Sequence, residues 1–225
     1  MIDLQNISFS YGKRQVLQGI TYRFEPGKFY GIFGANGCGK STLLKLITGE
    51  YKSFSGRVFP VFKNTGERAK QLAFMEQQLP ETIPLTAKEV VELGRYPWRK
   101  SGVVYSVDKI MEELDLLELQ DTPYTFLSGG EKQRVMLARV FAQQTEILLL
   151  DEPFSSFDIG NQHIFYRILK KFARQGKCII MVTHDIFVSG KYLDKAIFLR
   201  NGSVYCHGAP GEIFSEKLFH EIYGI

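Results

Sequence analysis

Nine consecutive residues, Gly34-Ala35-Asn36-Gly37-Cys38-Gly39-Lys40-Ser41-Thr42, have the types and spacing to hold a polyphosphate. Three glycines let the backbone curl until successive N–H groups converge on one anion. Lys40 then supplies a point charge able to reach β- and γ-phosphates, and the Ser41 hydroxyl is suited to ligate Mg²⁺. Such a pattern counts as a phosphate-binding loop only between a strand and a helix. Both flanks are at hand. Phe29–Phe33 is an apolar run that reads as a buried strand, and Thr42–Ile47 has the apolar spacing of a first helical turn. The helix beginning near Lys40 adds its positive end and its unpaired N–H groups. A glycine-rich turn with no ligand is the alternative, and the strand-to-helix setting argues against it. The segment predicts a nucleoside triphosphate site.

A second chemical centre follows from Glu146-Ile-Leu-Leu-Leu-Asp151-Glu152-Pro153. Four apolar residues in a row indicate a strand buried on both faces of a parallel sheet. Its two carboxylates emerge at the C-terminal end, where open α/β sheets place ligands. Asp151 suits Mg²⁺ held through water, and Glu152 suits polarisation of an attacking water; a pair that merely caps the next segment is the alternative. A further buried strand, Cys178–Val182, ends in Thr183-His184-Asp185, and His184 can reach a γ-phosphate from there, although a lone histidine is more often structural. Leu127-Ser128-Gly129-Gly130-Glu131 precedes a helical run from Val135 to Gln143. Ser-Gly-Gly before a helix is a second candidate anion site or, equally, a capped helix after a glycine turn. Tyr11 falls at a strand end, where its ring could stack on an adenine or simply lie on the surface.

The elements that must position these groups alternate between strand and helix. Residues 2–9 and 19–24 read as two antiparallel strands, and residues 56–62 as another, with Pro60 arguing for an edge. Gly49 closes the helix after the phosphate loop. Residues 71–75 form a short strand ending at Glu76-Gln77-Gln78. From Thr86 to Leu119 the pattern turns helical, opened by a capping-box start at Thr86-Ala87-Lys88-Glu89, with a further helix from Ser106. Residues 195–206 form a hairpin turning at Asn201-Gly202, and a short helical tail follows.

Composition sets the class. The chain has 225 residues, 44% of them hydrophobic and 23% charged, with net charge +4. That accommodates one α/β domain with a small inserted lobe. The mild, dispersed charge lacks the basic blocks of a dedicated nucleic-acid binder. No apolar run reaches the roughly 18 residues that span a bilayer, and the N-terminus lacks the features of a signal peptide. Cys38, Cys178 and Cys206 show no metal-ligand spacing, so a reduced, cytosolic compartment is the simplest inference. Cys38 reads as a loop filler or as a reactive thiol beside a helix N-terminus.

With these segments in order, the sequence resembles the nucleotide-binding subunit of an ABC (ATP-binding cassette) transporter over essentially its whole length. The Leu127-Ser128-Gly129-Gly130 signature ahead of the Asp151-Glu152 strand carries the resemblance. It implies a P-loop NTPase core with an antiparallel β subdomain: residues 1–79 and 127–225 as the core, 80–126 as an inserted helical lobe. It implies ATP and Mg²⁺ as ligands, Tyr11 as the adenine-stacking aromatic and Gly34–Thr42 as the phosphate loop. Gln77, with Gln78 a near rival, becomes the Mg²⁺-contacting glutamine, Glu152 the catalytic glutamate, Asp158 the D-loop aspartate and His184 the switch histidine. Glu76, Glu131 and Phe157 depart from the residues common at those positions, proline, glutamine and leucine. The mechanism implied is a head-to-tail homodimer, or a pair with a second cassette, holding two ATP molecules between each phosphate loop and the partner's Ser128-Gly129-Gly130 end. Opening and closing would drive transmembrane permease subunits at the cytoplasmic membrane face, with a substrate-binding protein outside and no direct contact with cargo or nucleic acid. Val90–Trp98, Asp158–Gln162 and the tail from Asn201 to Gly224 resemble the importer branch for ferric siderophores, haem or cobalamin. The alternatives are a soluble ABC ATPase working on protein or nucleic-acid machinery, another cargo, or an exporter. A P-loop kinase or GTPase fails because there is no Asn-Lys-x-Asp guanine-reading motif and because the Leu127–Gly130 signature would be idle.

Overall fold

The computed structural model describes residues 1–52, 54–77, 82–99, 106–154, 157 and 159–224. The chain opens with strands β1 (Ile2–Tyr11) and β2 (Arg14–Phe24), then β3 (Phe29–Phe33), the phosphate loop and helix α1 (Lys40–Ile47). Strand β4 (Ser55–Phe59), helix α2 (Thr65–Gln71) and strand β5 (Leu72–Met75) follow. Next come α3 (Ala87–Glu92), a 3₁₀ segment (Leu93–Trp98), α4 (Asp108–Glu113) and α5 (Gly129–Ala142). The second half alternates β6 (Ile147–Asp151), α6 (Ile159–Arg174), β7 (Cys178–Val182), α7 (Ile186–Ser189) and β8 (Lys195–Arg200). It ends with β9 (Ser203–Gly208), α8 (Pro210–Ile213) and α9 (Glu216–Tyr223).

Two sheets result. A six-stranded sheet runs β5-β6-β7-β3-β8-β9, parallel as far as β8 and closed by antiparallel β9. A three-stranded antiparallel sheet, β2-β1-β4, lies apart from it. Because side chains alternate along a strand, the apolar runs feed both faces of the large sheet. Phe29, Phe33, Leu148, Leu150, Ile179 and Met181 join α5 and α6 in one core. Tyr30, Ile32, Leu149, Ile180 and Val182 join α1 and the antiparallel strands in the other. Fully burying such side chains stabilises by about 1.5–3 kcal/mol each. Since β3, β5, β6 and β7 are parallel, their C-terminal ends share one edge of the sheet. The phosphate loop, Gln77, Asp151 and His184 all leave from that edge.

Several boundaries differ from the sequence reading. Strand β4 stops before Pro60, at the outer edge of its sheet as proline requires. Helix α2 has no buried residue and stands on its Asn64 cap, so no apolar periodicity announces it. Helix α5 starts at Gly129, ahead of the apolar run from Val135, because Ser128 and Glu131 form a complete capping box, the capped-helix reading of this segment. The box expected at Thr86 and Glu89 is present, and Asn201 and Gly202 turn the β8–β9 hairpin with positive φ. The segment Val90–Trp98 has a structural task. Arg95 donates to the Ala142 carbonyl (3.1 Å) and the Trp98 indole to the Gln143 carbonyl (2.7 Å). Both satisfy acceptors that the end of α5 leaves free. Gly94 lets this contact close, since a Cβ there would meet the Arg139 carbonyl at 2.1 Å.

Candidate functional site

The phosphate loop takes the shape its glycines predict. Gly34, Gly37 and Gly39 have φ of 144°, 76° and 107°. A Cβ on Gly34 would meet the Leu199 carbonyl at 2.3 Å, and one on Gly39 would meet Leu17 at 2.5 Å. Lys40 is buried, and its Nζ donates to the carbonyls of Gly34 (2.8 Å) and Ala35 (3.1 Å) inside the loop. Cys38 is also buried, and burial pushes its thiol above the ordinary value. It therefore stays protonated, which favours the filler reading over the reactive one. Beside the loop is a cleft of about 470 Å³ lined by Asn36, Gly37, Ser41, Thr42, Gln77 and Glu152, with Tyr11 at its wall. The Tyr11 ring packs edge-on against Phe9 and Tyr51, its hydroxyl 3.4 Å from the Thr42 hydroxyl.

Three further sequence-singled residues meet at the same place. Glu152 Oε2 accepts from Gln77 Nε2 at 2.9 Å, and its Oε1 lies 3.0 Å from His184 Nε2. The backbone at Glu152 is left-handed (φ 48°), and its N–H donates to the Val182 carbonyl (3.0 Å), tying the turn after β6 to the end of β7. A non-glycine residue held so is strained, and such strain concentrates at functional sites. Asp151 is 3% exposed, and its Oδ1 has no hydrogen-bond partner among the described residues. Burial pushes its carboxyl up, with the Glu152 charge adding; Ser41 and the charges of Lys40 and Lys45 pull the other way. An unpartnered, dehydrated carboxylate oxygen beside a serine hydroxyl suits a hard cation.

The Ser128 end of α5 is elsewhere. Ser128, Gly130 and Glu131 line a different cleft, about 380 Å³, with Asp115, Arg134 and Phe157. None of its lining residues belongs to the phosphate-loop cleft. Glu131 turns back on its own cap: its Oε2 accepts from the Ser128 N–H and hydroxyl, both at 2.7 Å, which holds the carboxyl below the ordinary range. Ser128 and Gly129 stay exposed. Phe157 stacks on Phe154 and Phe165. Asp158 and Gln78 lie outside the described residues.

A buried glutamine escaped the sequence reading. Gln133, 2% exposed on α5, brings its Nε2 to 3.4 Å from the Glu152 carbonyl. The available signal was a glutamine on the helix face that Val140, Leu137 and Ala138 bury.

Comparison with known proteins defines the class. Residues 17–155 match the ABC transporter family. The chain is 35% identical to the hemin import ATP-binding protein HmuV of Rhodococcus jostii, over 97% of its own length and 78% of that protein. It is 36% identical to the HmuV of Vibrio anguillarum, over 99% and 90%. The dimeric structure of a bacterial ABC transporter cassette superposes with a TM-score of 0.84 at 29% identity, over 93% of this chain and 99% of that one. An inward-facing, putative metal-chelate type ABC transporter shares the fold, with a TM-score of 0.83 at 24% identity over 100% and 89%. The chain belongs to the ABC transporter family. It is an ATPase subunit of that family, and the cassette fold expected of it is the one observed. Among the described residues no helix is long and apolar enough to cross a membrane.

Proposed function

We propose that this ATPase energises import of a metal chelate, with haem the first candidate, by closing and opening as a pair of cassettes around two ATP molecules. The cargo rests on relatives named for hemin import. The observation that carries the paired mechanism is the separation of the two phosphate-type clefts. In one chain the Lys40 loop and the Ser128 end of α5 line different cavities, so a triphosphate held by both needs two chains. In that pair each phosphate loop, Gly34 through Thr42, faces Ser128, Gly129, Gly130 and Glu131 of the other copy, with Asp158 at the junction. Gln77 relays the nucleotide state to permease subunits at the cytoplasmic face, and a substrate-binding protein delivers the cargo outside.

The geometry supports a role for each residue. Loop N–H groups and Lys40 bind the phosphates, Lys40 exchanging its two carbonyl acceptors for phosphate oxygens. Tyr11 stacks on the base. Ser41, Asp151 and Gln77 would hold Mg²⁺, and the unpartnered Asp151 Oδ1 fits that task. Magnesium, when bound, neutralises charge developing on the β- and γ-phosphates. Glu152 orients and deprotonates the attacking water, steered by Gln77 and His184 on its two oxygens.

The test is Glu152→Gln with ATP and Mg²⁺. The amide keeps the shape and removes the base, so the variant binds ATP, hydrolyses on the order of 100-fold more slowly, and elutes as a dimer by light scattering. Adding Ser128→Arg to it returns the monomer with ATP binding intact. In the host, Glu152→Gln in place of the wild type halts uptake of labelled haem. A Glu152→Gln chain that stays monomeric around ATP refutes the paired site.

A further inference from the structure

The tail helix α9 reaches the phosphate loop. Its last residue, Tyr223, accepts at Oη a hydrogen bond from the Gly34 N–H at 3.2 Å. Gly34 follows Phe33, the last residue of β3, so its N–H has left the ladder that β7 and β8 satisfy upstream. The carbonyl of the same glycine accepts from Lys40 Nζ at 2.8 Å. Gly34 is thus gripped on its N–H side by the tail and on its carbonyl side by the lysine that serves the phosphates. The tail is itself anchored. Leu218 and Ile222 are buried, Ser215 caps α9, and Phe214 packs edge-on against Phe33, one residue before Gly34. Burial pushes the Tyr223 hydroxyl above its ordinary value, so it remains neutral and able to accept.

We propose that Tyr223 is a positioning residue for nucleotide binding: its hydroxyl holds Gly34 in place while Lys40 moves from the loop carbonyls to a triphosphate. The Lys40 ammonium has three protons, two of them on the loop carbonyls, so it cannot keep both and also serve a β- and a γ-phosphate oxygen. When it turns, Gly34 loses its carbonyl partner, and the Tyr223 bond is what keeps the first glycine, and the turn behind it, in register. Without that hydroxyl the free loop samples other shapes, and ATP binding must select the competent one at a cost in affinity. Once ATP is bound its phosphates impose the geometry, so turnover at saturation is spared. This inference rests on the loop being the ATP site.

The experiment is Tyr223→Phe on the full chain, with Tyr205→Phe as its match. The Tyr205 hydroxyl donates to Glu221, also on α9, without touching the loop. Three quantities are read: ATP dissociation constant, kcat against KM, and hydrogen exchange at the Gly34 amide. Losing one ordinary hydrogen bond corresponds to about a 2- to 12-fold change. Tyr223→Phe therefore raises Kd and KM by about that factor, leaves kcat within about twofold and speeds Gly34 exchange, while Tyr205→Phe moves none of them. A merely structural tyrosine would shift the melting temperature and leave Kd and Gly34 exchange alone, which overturns the proposal. An unchanged Gly34 amide with weakened ATP binding also overturns it. Wild type that binds no ATP removes the functional reading and this inference together; wild type that binds with Tyr223→Phe equal to it removes the inference alone.

Discussion

Asp151→Asn should make this protein more stable and less active. Asp151 is 3% exposed, and one of its carboxylate oxygens has no partner among the described residues. Opposing influences act on its charge. Ser41, Lys40 and Lys45 favour the ionised form, whereas burial and the Glu152 charge disfavour it. The net shift is upward with burial the largest cause, so the penalty wins. An unsatisfied buried polar atom costs about 1–3 kcal/mol, more when charged. Asparagine keeps the shape and removes the charge but still leaves a polar atom there, so about 1–2 kcal/mol is recovered. At this chain length that raises the melting temperature by about 2–8 °C. The pH dependence carries a sign. The folded pKa lies above the ordinary 3.8, so the folded wild type holds the proton more tightly than the unfolded chain. Its stability therefore rises as pH falls through the folded pKa. The variant's advantage is full above that pKa and closes as pH drops toward 3.8. In the proposed role Asp151 would hold Mg²⁺ through water, so the ion should bind the variant about 10- to 100-fold more weakly, with hydrolysis falling in step. The assay is thermal unfolding without nucleotide from pH 8 downward, beside magnesium titration of the ATPase rate. A melting temperature for Asp151→Asn at or below the wild type at pH 8 refutes the argument.

Lys40→Ala removes the charge that ties the loop carbonyls and, in the proposed role, meets the phosphates. Charged hydrogen bonds contribute about 1.5–3 kcal/mol each, so ATP affinity should fall at least about 100-fold by calorimetry, and an unchanged Kd would reject the loop as the site. Gly94→Ala forces a Cβ to within 2.1 Å of the Arg139 carbonyl. It should destabilise by about 1–3 kcal/mol in a thermal melt. Gly211→Ala, where a Cβ meets nothing within 4 Å, should leave the melt unchanged.

What could be read from the chain divides along a physical line. Phe29–Phe33, Leu148–Leu150 and Cys178–Val182 are continuous apolar runs, and only a strand covered on both faces makes such a run stable, so the parallel sheet and its functional edge were legible. The curl of the Gly34–Thr42 loop was legible because its glycines are demanded by backbone geometry, not by neighbours far along the chain. The Asp151-Glu152 pair followed from strand direction alone. Helix α2 was not legible: it buries nothing, and its Asn64 cap looks like any turn residue. At the start of α5 the residues left two readings, an anion site or a capped helix, and the Glu131 carboxylate folded back on Ser128 is the contact that makes the cap.

Contacts between distant segments escaped for a different reason. Nothing in a glutamine at 133 says that its amide will meet the carbonyl of residue 152, and nothing in a tail tyrosine at 223 says that it will meet Gly34. Periodicity reports which face a residue occupies. It does not report which backbone group that face will meet, because the meeting depends on the lengths and turns of every element between. Yet each contact satisfies a backbone group that regular structure leaves open: a carbonyl in the left-handed turn at Glu152 and an N–H just past the end of β3. An open donor or acceptor in a buried turn must find a partner. The places where regular hydrogen bonding stops, at the functional edge of the sheet, are therefore where distant polar side chains are recruited.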